Sequence, residues 1–257
     1  MRLLSKRYKQ LLSELTKREI KARYKQSILG FAWVILNPFF QMLVMAFVYS
    51  QVLRVPDQGV PYSIFLYTGL LPWILFSNSI TSAANSLVAN SSLLKKIYFP
   101  REIFVLSTIL AKVIDFLLAS LILVVFMIVF KINITWHILW VVPIFFIQLV
   151  FTYGVSLLTA AFNLFYRDIQ YIMNLVLLIW MYLTPVIYPV ELIPAQYQFV
   201  FKLNPMSVII NAYRQVILAG ASPKASSLLI GMGVAGILVV AATSIFKKLE
   251  GLFADVV

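Results

Sequence analysis

The chain has 257 residues, of which 62% are hydrophobic and 12% are charged, and it has no cysteine. A soluble domain has about 45–50% apolar and about 25% charged residues, so a soluble enzyme, a disordered chain and a disulfide scaffold are all excluded. The composition predicts an all-α integral membrane protein that crosses the bilayer several times. The net charge of +12 comes from basic residues that crowd one end and flank apolar stretches. This indicates contact with anionic lipids and control of topology rather than binding of nucleic acid.

Residues 1–26 predict a basic amphipathic helix in the membrane interface, and residues 27–257 a single transmembrane domain. The apolar residues of the first segment recur at helical spacings, at Leu4, Tyr8, Leu11, Leu12 and Leu15. The basic residues fall largely on the other face, which is typical of an interfacial helix. The charges alone would fit equally well a segment that only fixes topology.

Six apolar stretches follow, and a membrane crossing needs about 20 residues. They lie near residues 31–52, 63–84, 104–130, 138–164, 172–190 and 225–246. The second stretch carries Gly69, Pro72 and Asn78, which a span tolerates only where protein or water satisfies the backbone. We therefore expect this span to face protein or a cavity more than lipid.

The distribution of basic residues predicts that both termini are cytoplasmic. With the N-terminus inside, 15 of the 21 Lys and Arg residues fall in inner segments and five in outer segments. Lys112 lies inside the third stretch, three residues before Asp115, so the two can pair on one helix face. We interpret this pair as a neutralised structural element close to the cytoplasmic interface rather than as a proton relay.

The segment 191–224 is too apolar for a plain loop, yet prolines interrupt it. Asn204 and Pro205 predict the N-cap and first turn of a helix that ends at Gly220. A helix of about 14 residues rises about 21 Å, which is too short to cross a membrane. We predict an outer-face helix or a shallow re-entrant element. The alternative, a seventh span, would place the basic C-terminal residues outside.

Signatures of catalysis and of cofactor binding are absent from the sequence. No Gly is followed by Lys, so there is no P-loop to bind nucleotide phosphates. A single His and scattered acidic residues offer neither a metal site nor a catalytic pair of carboxylates. We expect no catalytic, cofactor-binding or metal-binding residue in this chain. If it transports actively, the energy must come from another protein.

The segment NSSLLKKIYFPRE, residues 90–102, lies on the cytoplasmic side between the second and third stretches. Its aliphatic and aromatic residues with a charged rim predict a short amphipathic helix, which Pro100 ends before the next span. Such a helix could fit a groove of a partner protein or pack on lipid headgroups. Spacing alone leaves both alternatives open.

Seven motifs occur in an order that resembles the permease subunits of bacterial ABC exporters for polysaccharides, including the O-antigen and teichoic-acid exporters. They are REIKARYKQSILGFAWVILNPFFQM (18–42), GLLPWILF (69–76), LLKKIYFPRE (93–102), YRDI (166–169), TPVIYP (184–189), LNPM (203–206) and AYRQ (212–215). Each motif alone would be weak, but together they extend over most of the chain. An ABC exporter of the same architecture for a drug or another lipid is the alternative.

The resemblance implies a homodimer of six-span permeases in the bacterial inner membrane that exports a lipid-linked polysaccharide. Two copies of a cytoplasmic ABC ATPase would bind below it and would hold the ATP and Mg. The chain itself would contact membrane lipids and no nucleic acid.

Two segments gain a role from the same resemblance. The first is the coupling helix, expected to seat in a cleft of the ATPase through Leu93, Leu94, Lys95, Lys96, Tyr98, Phe99, Pro100, Arg101 and Glu102. The second is the external gate, formed by short outer helices between spans five and six that carry Tyr197, Asn204, Pro205, Tyr213 and Arg214.

A glycan is long and hydrated, so its path should be lined by hydroxyls, amides and aromatic faces. The residues of these types that we assign to the path are Asn37, Gln41, Tyr49, Trp73, Asn78, Ser82, Asn174, Tyr182 and Thr184. Trp33, at the start of its span, is interpreted as part of the interfacial aromatic belt. A pyrophosphate-bearing lipid carrier would suit the basic residues Arg18, Lys21, Arg23 and Lys25, although the positive-inside rule explains these equally well.

Overall fold

The computed structural model describes residues 6–24, 29–54, 59–96 and 100–253, with residues 23, 24, 94–96, 195 and 202 described by their backbone alone. This part of the chain consists of helices and their connections and contains no β-strand, as predicted. The α-helices are α1 (Lys6–Tyr24), α2 (Ala32–Phe47), α3 (Tyr62–Ala89), α4 (Ser91–Lys96), α5 (Glu102–Val129), α6 (Val141–Phe165), α7 (Ile169–Tyr182), α8 (Gln198–Leu203), α9 (Pro205–Ile217) and α10 (Ala225–Glu250). A π-helical turn, Val48–Val52, extends α2, and a 3₁₀ turn, Trp136–Trp140, leads into α6.

Within the described residues, five helical segments are long and apolar enough to cross a membrane. They are Ala32–Val52, Tyr62–Ala89, Glu102–Val129, Trp136–Phe165 and Ala225–Glu250. These bounds lie close to five of the six predicted stretches. The multi-pass membrane architecture expected from composition is therefore confirmed.

The predicted stretch 172–190 forms a shorter helix than a sixth crossing would need. Here α7 has 14 residues and ends at Tyr182, so it rises about 21 Å. Pro185 and Pro189 follow, and each lacks a backbone N–H and disfavours the α conformation in the residue before it. The chain continues through residues 183–189 as a non-helical segment, of which residues 184–187 and Pro189 are buried, and the count of six helical spans is not confirmed.

Helix α3 lies at the centre of the bundle. It packs against α2, α5, α6, α7 and α9, and it is buried along most of its length, whereas less than a third of the most apolar window of each other span is buried. Gly69 and Pro72 are both buried within the protein. The prediction that this span faces protein more than lipid is confirmed.

The N-terminal helix α1 is amphipathic as predicted, and its apolar face packs against protein. Tyr8 and Leu15 are buried in a cluster that includes Leu87 of α3 and Phe104 of α5. The basic side chains of Lys6, Arg7, Lys9, Lys17 and Arg18 are exposed. Leu4, the first residue of the predicted apolar face, lies outside the described residues.

Helix α10 packs along α6. A Cβ atom on Gly154 of α6 would lie 3.1 Å from the Leu238 side chain, so glycine allows these helices to approach closely. On α10 the small residues Gly231, Ala235 and Ala242 are buried within the chain. This stripe is used for packing inside one protomer.

Two contacts define the ends of the bundle. Arg101, before α5, bonds to Glu250, the last residue of α10, so the start of α5 and the end of α10 lie together. Because α1 packs on α5, we call this the α1 end. At the opposite end the Thr135 hydroxyl, after α5, donates a hydrogen bond to the carbonyl of Gly220 at 3.2 Å.

Candidate functional site

A cavity of about 510 Å³ lies between α2, α3, α5 and α7. Five of the nine predicted path residues line it, namely Asn37, Gln41, Trp73, Asn78 and Asn174. Trp33, interpreted from the sequence as part of the aromatic belt, also lies on this wall. The structure therefore brings most of the predicted path residues together in one place.

Helical periodicity explains how each element presents this wall. On α2, positions 33, 37 and 41 are four residues apart and share one face. On α7, Asn174, Leu177, Leu178 and Met181 follow the spacing of three and four, and all four line the cavity. A single face of each helix thus carries the lining, while the rest packs on protein or faces outward.

The amide groups of the cavity are exposed in the single chain. Asn37, Gln41, Asn78 and Asn174 all retain large accessible surfaces, and the Thr81 hydroxyl donates to Oδ1 of Asn174 at 3.3 Å. An amide in hydrocarbon without a hydrogen bond is strongly disfavoured, so these groups need water, substrate or protein as partners. The wall can bind a hydrated, uncharged solute through amide donors and acceptors and through the exposed indole of Trp33.

One charged pair lies on this wall that we did not assign to the path from the sequence. Lys112 and Asp115 of α5 both line the cavity, with Nζ of Lys112 3.7 Å from Oδ2 of Asp115. Helix α5 begins at Glu102, so Lys112 lies about 15 Å along it. The signal was in the sequence, because positions 112, 115, 116 and 119 have the spacing of one helix face.

Four predicted path residues do not line this cavity. Tyr49 stacks on Tyr62 with ring centroids 6.2 Å apart, and Ser82 is half-buried on α3. Tyr182 is exposed, and its carbonyl accepts a hydrogen bond from the Tyr188 hydroxyl at 2.7 Å. Thr184 is fully buried. These four residues do not share a site with the other five.

Asn204 joins the end of α7 to the start of α9. Its Oδ1 accepts hydrogen bonds from the Met206 N–H and from Nε1 of Trp180, both at 3.1 Å. Its Nδ2 donates to Oγ1 of Thr184 at 2.9 Å. The predicted N-cap is confirmed, with Pro205 at the first helical position. The amide uses both its acceptor and its donor, so it fixes the geometry of two elements at once.

Arg214 is buried and holds the non-helical segment after α7. Its two terminal nitrogens donate to the carbonyls of Pro185 and Val186, both at 2.6 Å, and its guanidinium carbon lies 3.7 Å from the centre of the Phe65 ring. Burial lowers the pKa of Arg214 to about 9, and the Tyr62 and Glu191 side chains act against this. The group remains a cation at neutral pH.

The neighbouring Tyr213 connects α9 to the middle of α3 through α6. Its hydroxyl donates to Oε1 of Gln148 at 3.0 Å, and Nε2 of Gln148 donates to the carbonyl of Pro72 at 2.8 Å. Burial raises the pKa of Tyr213 above its ordinary value. Of the five predicted gate residues, Asn204, Pro205, Tyr213 and Arg214 thus lie on or next to α9. The contacts of Asn204, Tyr213 and Arg214 hold α9 against α6 and the segment after α7, and we call this set of contacts the gate support. The Tyr197 side chain is exposed and outside it.

The predicted coupling segment is held at both ends. The Arg18 guanidinium of α1 donates to Oδ1 of Asn90 at its start, and at its other end Arg101 bonds to Glu250. The half-buried Leu93 packs on the buried cluster that contains Tyr8 of α1 and Phe104 of α5. Tyr98 and Phe99 lie outside the described residues, and Leu94, Lys95 and Lys96 are described by their backbone alone. Pro100 and Glu102 are half-buried.

Of the four basic residues assigned to a lipid pyrophosphate, only Arg18 and Lys21 have described side chains. Arg18 contacts Asn90, Lys21 is exposed on α1, Arg23 is described by its backbone alone and Lys25 lies outside the described residues. In the part of the chain that the structure describes, no group of three or more acidic or His side chains could hold a metal ion.

Comparison with known proteins shows a single family over most of the chain. The family described as ABC-2 type transporter matches residues 10–218. An O-antigen export system permease protein RfbA of Klebsiella pneumoniae is 34% identical over 96% of this chain and 94% of its own length. The protein of the same name in Myxococcus xanthus is 34% identical over 96% of this chain and 95% of its own length. The polysialic acid transport protein KpsM of Escherichia coli is 24% identical over 79% of each chain.

Proposed function

The chain belongs to the ABC-2 type transporter family, and on that premise we propose that it is the permease subunit of an ATP-driven exporter of polysaccharide. The similarity to O-antigen export permeases over 96% of the chain carries this proposal. The cavity supports it, because exposed amides and the exposed indole of Trp33 suit the hydroxyls and C–H faces of sugars. The cargo is a lipid-linked polysaccharide of the O-antigen or teichoic-acid type, and the membrane is the bacterial inner membrane.

Export of a drug or of another lipid by the same architecture is the second candidate. Sites for drug-sized molecules are mostly apolar, with few polar groups. Here four amides, Asn37, Gln41, Asn78 and Asn174, share one cavity wall and are exposed. Most of the other lining residues are apolar, so these exposed amides are the feature that favours a hydrated polymer.

We infer six crossings per protomer, the fifth being composite. The Arg101–Glu250 bonds support this, because they place the start of α5 and the end of α10 at the same end of the bundle. The bond from Thr135 to Gly220 supports it as well, because the segment after α9 lies at the opposite end. Helix α7 and the non-helical segment 183–189 would then carry the chain across between these ends. The positive-inside rule makes the α1 end, with both termini, cytoplasmic.

The assembly we propose is a homodimer with two copies of a cytoplasmic ABC ATPase. A second copy would face the polar cavity wall that the single chain leaves exposed and would enclose the path between the two protomers. The sequence has no P-loop, so ATP and Mg would bind to the ATPase chains and the permease would hold no cofactor. Residues 1–26 would form the interfacial segment and residues 27–257 one transmembrane domain.

The coupling segment 90–102 would seat in the ATPase at the α1 end. Its links to α1 through Asn90 and to α10 through Arg101 support this role, because a movement of the segment would reach both helices. The basic face of α1, with Lys21, would lie where the lipid pyrophosphate enters. At the far end, the gate support, which includes Asn204 and Arg214, would act as the external gate.

Deletion of the gene in its host tests the proposed function. Long-chain lipid-linked glycan should accumulate inside the cell, surface glycan should be lost, and shorter lipids should be unaffected. Complementation with the unchanged gene should restore surface glycan. Complementation with a variant that does not insert into the membrane should not restore it, and this pair of results controls for effects on glycan synthesis. Unchanged surface glycan would contradict the substrate and leave an exporter of another cargo.

A further inference from the structure

We propose that Lys112 and Asp115 form a subsite that binds sugar hydroxyl groups on the wall of the cavity. This rests on the proposed function, because it assigns a binding role inside the polysaccharide path. The pair has a cation that donates hydrogen bonds and an anion that accepts them, so adjacent hydroxyls of one sugar can contact both. A hydroxyl both donates and accepts, and it is therefore matched to this pair.

The position of the pair argues against a purely structural role. Lys112 and Asp115 lie on the same face of α5 as Phe116 and Ala119, and all four side chains line the cavity. They are about 15 Å and about 20 Å from the start of α5 at Glu102, at 1.5 Å per residue. Charged residues within a membrane span are strongly disfavoured in lipid and typically face protein or a water-filled path. Here both face the cavity.

The geometry of the pair leaves room for a bridging group. Nζ and Oδ2 are 3.7 Å apart, which is an ion pair beyond the length of a direct hydrogen bond. The side chains of Lys112 and Asp115 remain 13% and 20% exposed, so each still presents surface to the cavity. A hydroxyl between them can accept from the ammonium and donate to the carboxylate, as a bridging water does.

The surroundings select the chemical class of the ligand. Opposite charges on the pair cancel, and the other described residues that line the cavity are uncharged. The pair carries no net charge and so does not attract a charged ligand, while its donors and acceptors match the hydroxyls of a neutral sugar. Trp33 on the same wall is exposed and offers a flat apolar face for the C–H face of a sugar ring. The ligand is therefore a carbohydrate segment without charge at this point.

The test removes both charges together, so that neither is left without its partner. The double variant Lys112→Met, Asp115→Leu is compared with the charge-reversed pair Lys112→Asp, Asp115→Lys, which keeps the donors and acceptors in the cavity. Each is purified with its partner ATPase in lipid nanodiscs. The probe is an oligosaccharide released by mild acid from the surface glycan of the host. Binding of the probe, export in complemented cells and yield of the assembled complex are measured.

We expect the apolar double variant to assemble at the level of the unchanged protein and to bind the probe about tenfold more weakly, because hydrogen bonds to charged groups are lost. Export should fall in parallel, and the charge-reversed pair should retain at least half of both signals. Normal binding by the apolar variant, a loss of export that follows a loss of assembly, or a charge-reversed pair as inactive as the apolar one would overturn the subsite. If the unchanged complex neither binds the probe nor exports glycan, the proposed function itself fails.

Discussion

The backbone N–H of Arg101 donates a hydrogen bond to Oε1 of Glu250 at 3.1 Å, and the Arg101 guanidinium donates to the main-chain carbonyl of the same residue. The guanidinium also lies 5.7 Å from the centre of the Phe253 ring. Arg101 is thus a link between the coupling segment and the end of α10. This contact within the chain adds to the ATPase contact that we predicted for Arg101 from the family resemblance.

Arg101→Ala should therefore weaken the connection between the coupling segment and α10. Loss of a charge-assisted hydrogen bond costs about 1.5–3 kcal/mol in stability, and export should fall to a small fraction of normal. Export from complemented cells and thermal unfolding of the purified protein measure the two effects. Lys248→Ala is the matched control, because Lys248 is exposed at the same end of α10. Equal behaviour of the two variants would show that the link is not needed.

Gly69→Ala should disturb the contacts of Arg214, which belongs to the external gate that we propose. An added Cβ would lie 2.6 Å from a terminal nitrogen of Arg214 and 3.1 Å from the carbonyl of Val186, so the guanidinium would have to move. Overpacking of this kind costs about 1–3 kcal/mol, which a thermal unfolding curve resolves. Gly233→Ala on α10 has open space around the new atom and should be neutral or slightly stabilising, because Ala favours the helix more than Gly does. A neutral Gly69→Ala would mean that Arg214 is held less firmly than its contacts indicate.

Asn204 offers a graded test of the junction between α7 and α9. Asn204→Ala removes the N-cap and should cost about 0.5–2 kcal/mol. Asn204→Asp keeps the acceptor for the Met206 N–H but loses the donor to Thr184. Its stability should therefore lie between that of the unchanged protein and that of Asn204→Ala. Chemical denaturation of the purified protein gives the order. If Asp and Ala are equally destabilised, the cap contributes little and the contact with Thr184 dominates.

Tyr8 fixes α1 to the bundle through its ring. Its hydroxyl is buried without a hydrogen-bond partner among the described residues, so Tyr8→Phe should be neutral or slightly stabilising. Tyr8→Ala should cost about 3–5 kcal/mol, as for other large aromatic residues in a core. Protease sensitivity of the segment before α2 reports the docking of α1. A destabilised Phe variant would indicate that the hydroxyl has a partner.

The same residue predicts a dependence on pH. Burial, with a smaller effect of the Glu102 charge, raises the pKa of Tyr8 to about 12. The docked state holds the phenol proton more tightly than the undocked state, whose pKa is about 10. Docking of α1 should therefore be constant below about pH 10 and weaken as the pH rises from about 10 to 12. In Tyr8→Phe this weakening should disappear, and its persistence there would assign it to another group.

Several parts of the fold follow from local sequence patterns. Apolar stretches of about 20 residues predict the spans because the hydrocarbon thickness sets their length. Asn204 followed by Pro205 predicts the cap of α9 because both preferences are local. The faces of α2 and α7 that line the cavity follow from helical periodicity.

Other parts depend on contacts that no local pattern encodes. The partners of Arg101 and Arg214 come from distant segments, which only the packed bundle brings near. Tyr49 has the chemistry of a path residue but stacks on Tyr62 instead. The length of α7 was overestimated because hydrophobicity alone ignores Pro185, which ends the helix.

A photo-crosslinking amino acid at Asn78, on the cavity wall, tests most directly whether polysaccharide passes through this chain. The same amino acid at Leu117, exposed on α5 and outside the cavity, is the control. During export in cells, irradiation should attach glycan to the Asn78 variant and not to the Leu117 variant, and the adduct should disappear when the partner ATPase is inactive. Absence of glycan at Asn78 while export continues would contradict the account.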